Sequence, residues 1–296
     1  MIKTASTALV FLLLYGILII PFTTYLRDKP FVEKLGYVPS VAALKSVAAD
    51  HKELVAASLV LKVLMYFGGL IEKAENQVAI PPDYITMSRM LHGAVRLDPY
   101  NMDAYYFAQG FLTWDVKQYK IANDLLDYGM KYRTWDWYLP FFAGFNSAFF
   151  LKDYAAAARY YRRAGELSGS DLSKLLAGRY MQESGQTGLA ISYLSAMLNG
   201  EKNPAIKKIY TIRLKAFSEA SRIEVARDRY RETYGVMPSS IEQLVAGGFL
   251  SPAPTDPYGG QFYLEADGKV ATTSKFAFTG VKNNSTQKAG ETDERH

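Results

Sequence analysis

The chain has 296 residues, 49% of them apolar, and its 34 Lys and Arg against 29 Asp and Glu leave a formal charge of +5. Such a balance builds a core and excludes wholesale disorder. Cysteine is absent, which excludes disulfide frameworks, thiolate metal sites and cysteine nucleophiles, and the three histidines, His51, His92 and His296, stand 41 and 204 residues apart.

In chain order, Thr4 to Leu26 carries no charge, and Ala8 to Ile20 is almost wholly apolar. As a helix these 23 residues reach roughly 34 Å at about 1.5 Å per residue, enough to cross a bilayer. Lys3 precedes the run, Tyr25 falls at an interface position, and Arg27 and Lys29 come after it. No small residues spaced for signal cleavage occur in Pro21 to Leu26, so residues 1–29 are expected to stay as a transmembrane anchor; a cleaved signal and a buried soluble helix are the alternatives. Lys3 on one side and Arg27, Lys29 and Lys34 on the other leave orientation open. A three-residue head before an apolar run is the layout by which anchors export the carboxy-terminal body. The expected location is a bacterial inner membrane, single-pass, with the soluble part in the periplasm.

From Tyr84 to Met197 the sequence repeats itself at spacings of 35, 35 and 33 residues. Tyr84, Tyr119, Tyr154 and Thr187 share one position, and Met87, Ala122, Ala157 and Ala190 share another three residues on. Leu91, Leu126, Tyr161 and Leu194 form a third set, and Ala94, Gly129, Ala164 and Met197 a fourth. Small residues at these places let paired helices approach to about 8–10 Å, while the large residue of each set plugs the gap to the next pair. The pattern resembles the tetratricopeptide repeat, best in Phe141 to Leu167 with its KDYAAAARYYRRAGEL half. Asp98-Pro99 ends one unit as in that family, Gly110 and Gly178 fill the small position of the first helix, and Phe145 takes it in the middle unit, with Gly144 beside it. Thr134 and Gly169 depart from the family by standing where proline is usual.

The resemblance covers roughly Asp50 to Gly200, in units Asp50 to Pro99, Met102 to Arg133, Trp137 to Ser168 and Asp171 to Asn199. It implies a mainly α fold, with residues 30–202 forming a right-handed helical superhelix. Residues 203–235 are expected to cap it with one helix from Pro204 to Tyr234, which opens on proline and stops at Gly235. The resemblance also implies that the first helix of each unit lines a concave face. That places Phe107, Phe111 and Trp114, then Phe142, Asn146 and Phe149, then Leu175, Arg179 and Gln182 toward a protein or peptide partner. Core packing is the competing role for such aromatics. Family members that clamp an acidic chaperone tail use lysines where Phe107 and Phe142 stand here, which argues against that partner. Trp135 to Phe142, the most aromatic stretch, reads as an inter-unit plug or a bilayer-surface contact.

After Arg222 turn chemistry replaces helical periodicity, and residues 236–280 are expected to form a small α+β module. Ser240 to Val245 reads as a short helix capped by Ser239 or Ser240, and Gln261 to Glu265 and Lys269 to Thr273 flank Ala266-Asp267-Gly268 as a β-hairpin. The order RDRYRETYGVMPSSIEQLVAGGFL, then PTDPYGGQFYLEADGKVATTSK, resembles the carboxy-terminal region of type II secretion major pseudopilins, with Asp256-Pro257-Tyr258-Gly259 as its corner. The amino terminus lacks that family's Gly-Phe-x-x-x-Glu processing site, so the chain is not expected to be a filament subunit. Asp256 reads as the start of a tight turn; a shared calcium site with Asp267 is the alternative, for which two carboxylates are too few. Residues 281–296 are polar and expected to be a disordered tail.

The Pro204 to Tyr234 helix carries interspersed acids and bases, expected as a solvated face rather than a nucleic-acid surface. No phosphate loop, Ser/His/Asp set or metal-ligand spacing occurs. The sequence therefore points to no enzyme, no cofactor and no metal. It reads as a membrane-anchored scaffold that contacts the bilayer through residues 4–26, takes protein partners and assembles an envelope complex of the type IV pilus or type II secretion kind. The alternative is an accessory subunit of cell-surface polysaccharide synthesis or export.

Overall fold

The computed structural model describes residues 14–25, 33–77 and 80–276. Residues 1–13 and 26–29 of the expected anchor, 277–280 of the expected module and the 281–296 tail lie outside the described residues. Two compact units divide the chain, Met1–Lys117 and Gln118–His296, so a boundary falls inside the expected Met102 to Arg133 pair.

The first unit contains an apolar helix, α1 (Leu14–Tyr25), then α2 (Val41–Ala48), α3 (Lys52–Glu75), α4 (Tyr84–Leu97), α5 (Met102–Gly110) and a π-helical turn, π1 (Phe111–Asp115). Ser40, Asp83 and Asn101 each accept a hydrogen bond from the backbone N–H three residues on, satisfying a donor that a helix start leaves open. α3 and α4 pack against each other. Val60, Val63 and Leu70 of α3 and Met87, Met90, Leu91 and Ala94 of α4 are buried in this unit's interior. Among the described helices α3 is the one long and apolar enough to cross a membrane by length and composition, with a mean hydropathy of 2.1 over an 18-residue window; α1 as described is shorter.

The second unit runs α6 (Tyr119–Met130), α7 (Tyr138–Asn146), a second π turn π2 (Ser147–Leu151), α8 (Tyr154–Ser168), α9 (Asp171–Glu183), α10 (Thr187–Gly200) and α11 (Pro204–Tyr234). Each helix packs on its chain neighbours, the stacking that a tetratricopeptide-like array requires. The first repeat position marks the first residue of α4, α6, α8 and α10. The second and third, Met87, Ala122, Ala157, Ala190 and Leu91, Leu126, Tyr161, Leu194, are all buried. A Cβ on Gly178 would stand 2.9 Å from Leu194 Cδ2, so any side chain there would force buried Leu194 to move. In the middle unit the small position belongs to Gly144, not Phe145: a Cβ on Gly144 would meet the Tyr161 ring at 3.1 Å, whereas Phe145 turns outward to stack on Phe149.

α11 ends at Gly235, whose φ of +71° suits a residue without a side chain. Beyond it lie α12 (Ile241–Ala246), capped by Ser240, and strands β1 (Phe262–Leu264) and β2 (Val270–Thr272), antiparallel with Tyr263 opposite Ala271. This segment is not detached from the repeats. Leu244, Leu250, Tyr258, Phe262, Val270 and Phe276 share one apolar core with Ala177, Leu194, Phe217 and Ile223.

Candidate functional site

In the first unit Phe107 is half-buried and meets Phe67 edge-on at 5.9 Å. Phe111 is buried against Tyr84 at 5.5 Å and is a packing residue, not an open contact. Trp114 is 58% exposed. It lies in π1, where Val116 N–H reaches Phe111 O at 3.2 Å and Lys117 closes the turn with a φ of +57°. The second unit repeats the device: Asp153 N–H reaches Ser147 O at 2.9 Å and Lys152 adopts a φ of +56°.

Asn146 is fully buried and cannot meet a partner. Its Nδ2 donates to Asn123 Oδ1 at 3.0 Å, while Asn123 Nδ2 donates to Ala143 O at 3.2 Å and Ser147 Oγ at 3.0 Å. This pair joins α6 to the point where α7 widens into π2, and each amide answers a group that burial would otherwise leave unsatisfied.

The open face of α7 and π2 carries rings instead. Phe149 is 58% exposed, lies parallel to Phe145 with centroids 5.6 Å apart, and holds Lys152 Nζ 5.4 Å above its ring. Half-buried Phe142 packs on Tyr138 at 4.3 Å, and exposed Trp137 meets Phe141 edge-on at 5.9 Å. Tyr138, Phe142, Phe145 and Phe149 recur at helical spacing. The family offsets assign Phe145 to the small position and leave Trp137 and Tyr138 outside the partner-contact set; reading the stripe by its own period finds Tyr138 and Phe145. Behind it Phe141, Tyr161, Tyr180 and Tyr154 form a ring column with successive centroids 5.6, 5.6 and 5.8 Å apart. Burial pushes the Tyr161 hydroxyl well above the usual tyrosine range, so it stays neutral inside the column.

The α9 positions are different. Gln182 is buried and Leu175 packs against the shared core. Arg179 holds its guanidinium 5.8 Å from the Tyr180 ring centroid, with its Nε buried and lacking a hydrogen-bond partner. The chain's own terminal segment occupies this wall. Lys269 bonds Glu183 at 2.7 Å and lies 5.4 Å over Tyr154, and a cavity of about 140 Å³ lined by Arg179, Gln182, Tyr263 and Phe276 remains between them. Burial lowers the Lys269 pKa, but the Glu183 hydrogen bond and charge outweigh it and hold the ammonium above the ordinary lysine value. The expected contact at Arg179 is therefore corrected: the surface is filled from within.

Three arginines of α11, expected on a solvated face, hold that segment. Arg213 donates to Tyr258 Oη at 3.1 Å and Phe276 O at 3.0 Å, Arg222 to Pro252 O at 3.0 Å and Arg227 to Gly268 O at 2.7 Å. Asp256 is buried and accepts from Thr272 Oγ1, Ser274 Oγ and the Tyr258 N–H at 2.5, 2.6 and 2.8 Å. Its lone pairs fix the corner instead of facing outward for a cation, and Asp267 accepts from the Lys269 N–H within the hairpin turn. Among the described residues no group of three His, Cys, Asp or Glu side chains converges to hold a metal ion.

No protein-family model and no curated protein matches the chain. A crystal structure of YrrB, described as a TPR protein with an unusual peptide-binding site, is similar at 17% identity and a TM-score of 0.37, over 71% of this chain and 100% of that one.

Proposed function

We propose that the protein is a non-catalytic, membrane-anchored scaffold that holds a partner polypeptide on the aromatic face of α7 and π2 while a bacterial envelope complex assembles. The observation that carries this reading is the aromatic face on which Trp137 and Phe149 are exposed and Phe142 and Phe145 half-buried, backed by the Phe141, Tyr161, Tyr180 and Tyr154 column. Rigid rings lose little side-chain freedom when they bind and supply most of the contact energy in such interfaces. An apolar or amphipathic helix suits a stripe of this period. The envelope setting, with type IV pilus or type II secretion systems first, draws support from the charge-free Thr4 to Leu26 run and the Asp256-Pro257-Tyr258-Gly259 corner.

Phe149→Asp places a charge on the open face without disturbing the core. In detergent extracts, proteins that travel with the wild type should be lost from Phe149→Asp and kept by Lys208→Asp, a change at an exposed position of α11. Identical companions in both variants would remove the aromatic face from the account.

A further inference from the structure

Among the described residues, α3 is covered on one side only. Ala56, Val60, Val63 and Leu70 are buried. The Tyr66 hydroxyl donates to Glu33 O at 2.5 Å and accepts from the Asp83 N–H at 2.9 Å, and Lys73 pairs with Glu33. On the far side Leu54, Leu61 and Met65 are 69%, 58% and 70% exposed, with Ala57, Ser58 and Gly68 in the same stripe by helical spacing. No charge falls on the stripe before Glu72. Lys62 extends toward Gly36 instead, its Nζ 3.7 Å from where a Cβ of that glycine would stand. An apolar face of this length marks an interaction surface.

The bilayer is the occupant that fits, and this choice rests on the anchor reading of the amino terminus. Residues 26–40, which join α1 to α2, number 15 and span at most about 50 Å even when fully extended, so an anchored chain keeps this unit beside the membrane. The α3 window, with its mean hydropathy of 2.1, has the polarity of a lipid-facing segment. Tyr37 and Val47 are also exposed in this unit, with exposed Lys34, Lys45 and Lys52 available to anionic headgroups. We propose that α3 seats the Leu54, Leu61 and Met65 stripe in the acyl–headgroup boundary of an anionic bilayer. It thereby gives the protein a second membrane contact and fixes the orientation of the first unit at the surface.

The absence of native cysteine makes the test clean. Single cysteines replacing Ile17, Leu61, Met65 and Lys208 in the full chain are labelled with a small fluorophore. The labelled protein is placed in vesicles of phosphatidylethanolamine and phosphatidylglycerol with or without doxyl-labelled lipid. The labels at 61 and 65 should be quenched by doxyl lipid and resist aqueous iodide several-fold better than the label at 208. Iodide access at 61 and 65 equal to that at 208 would overturn the proposal. So would shielding from both quenchers, which would mean that protein covers the stripe. If 17 is quenched by doxyl lipid and 61 and 65 are not, only the second contact falls; if 17 is not quenched either, the anchor falls with it.

Discussion

Replacing Asn146 by alanine separates a structural role from a binding role. Asn146 is fully buried and donates to Asn123 Oδ1, which loses this donor in the variant. An unsatisfied buried acceptor costs about 1–3 kcal/mol, and the cavity left by the carboxamide adds about 0.5–1 kcal/mol at roughly 24 cal/mol per Å³. The expected loss is therefore about 1.5–4 kcal/mol. Phe149→Ala should cost under about 1 kcal/mol, because that ring is mostly in water. Urea unfolding monitored by tryptophan fluorescence in a Trp114→Phe background reports the second unit alone, through Trp135 and Trp137. An Asn146→Ala midpoint equal to that of the parent, with an unchanged slope, would refute the assignment of Asn146 to the core network.

Gly178→Ala should destabilise by about 1–2 kcal/mol: the new methyl overlaps buried Leu194, and overpacking outweighs the propensity gain of about 1 kcal/mol. Gly188→Ala, where a Cβ meets nothing within 4 Å, should gain about 0.5–1 kcal/mol; thermal melts of both variants check the pair. Burial raises the Glu224 pKa although the Thr187 hydroxyl donates to it at 2.7 Å. A carboxyl that holds its proton more tightly when folded contributes stability below its unfolded pKa that is lost as pH rises through the folded one. Glu224→Gln, which still accepts from Thr187, should therefore gain on the wild type between pH 4 and 7 in denaturation midpoints. Adding calcium or a chelator should leave the melting temperature unchanged, since Asp256 already accepts three hydrogen bonds.

The repeat was legible because close helix packing writes itself locally. Small residues at Ala122, Ala157 and Ala190 and large ones at Leu126, Tyr161 and Leu194 are set by contacts inside one pair or its neighbour. The limits of α11 were legible for a similar reason, with Pro204 at its first position and Gly235 past its last. The π turns were not, because one widened backbone turn needs no particular residue type. The filling of the α9 wall was also hidden. Lys269 and Glu183 lie 86 residues apart, and nothing near either one announces the other. The exposed stripe of α3 is not legible in the sequence, because its apolar residues suit a repeat helix equally well.

The most direct test of the central claim is photo-crosslinking in living cells from a benzoylphenylalanine placed at Phe149, with Arg162, on the exposed side of α8, as the control position. The account predicts one discrete crosslinked polypeptide from Phe149, absent from Arg162 and abolished when Trp137→Asp is added. An equal pattern from both positions, or no adduct from Phe149 in cells where the chain is correctly folded and membrane-bound, would contradict it.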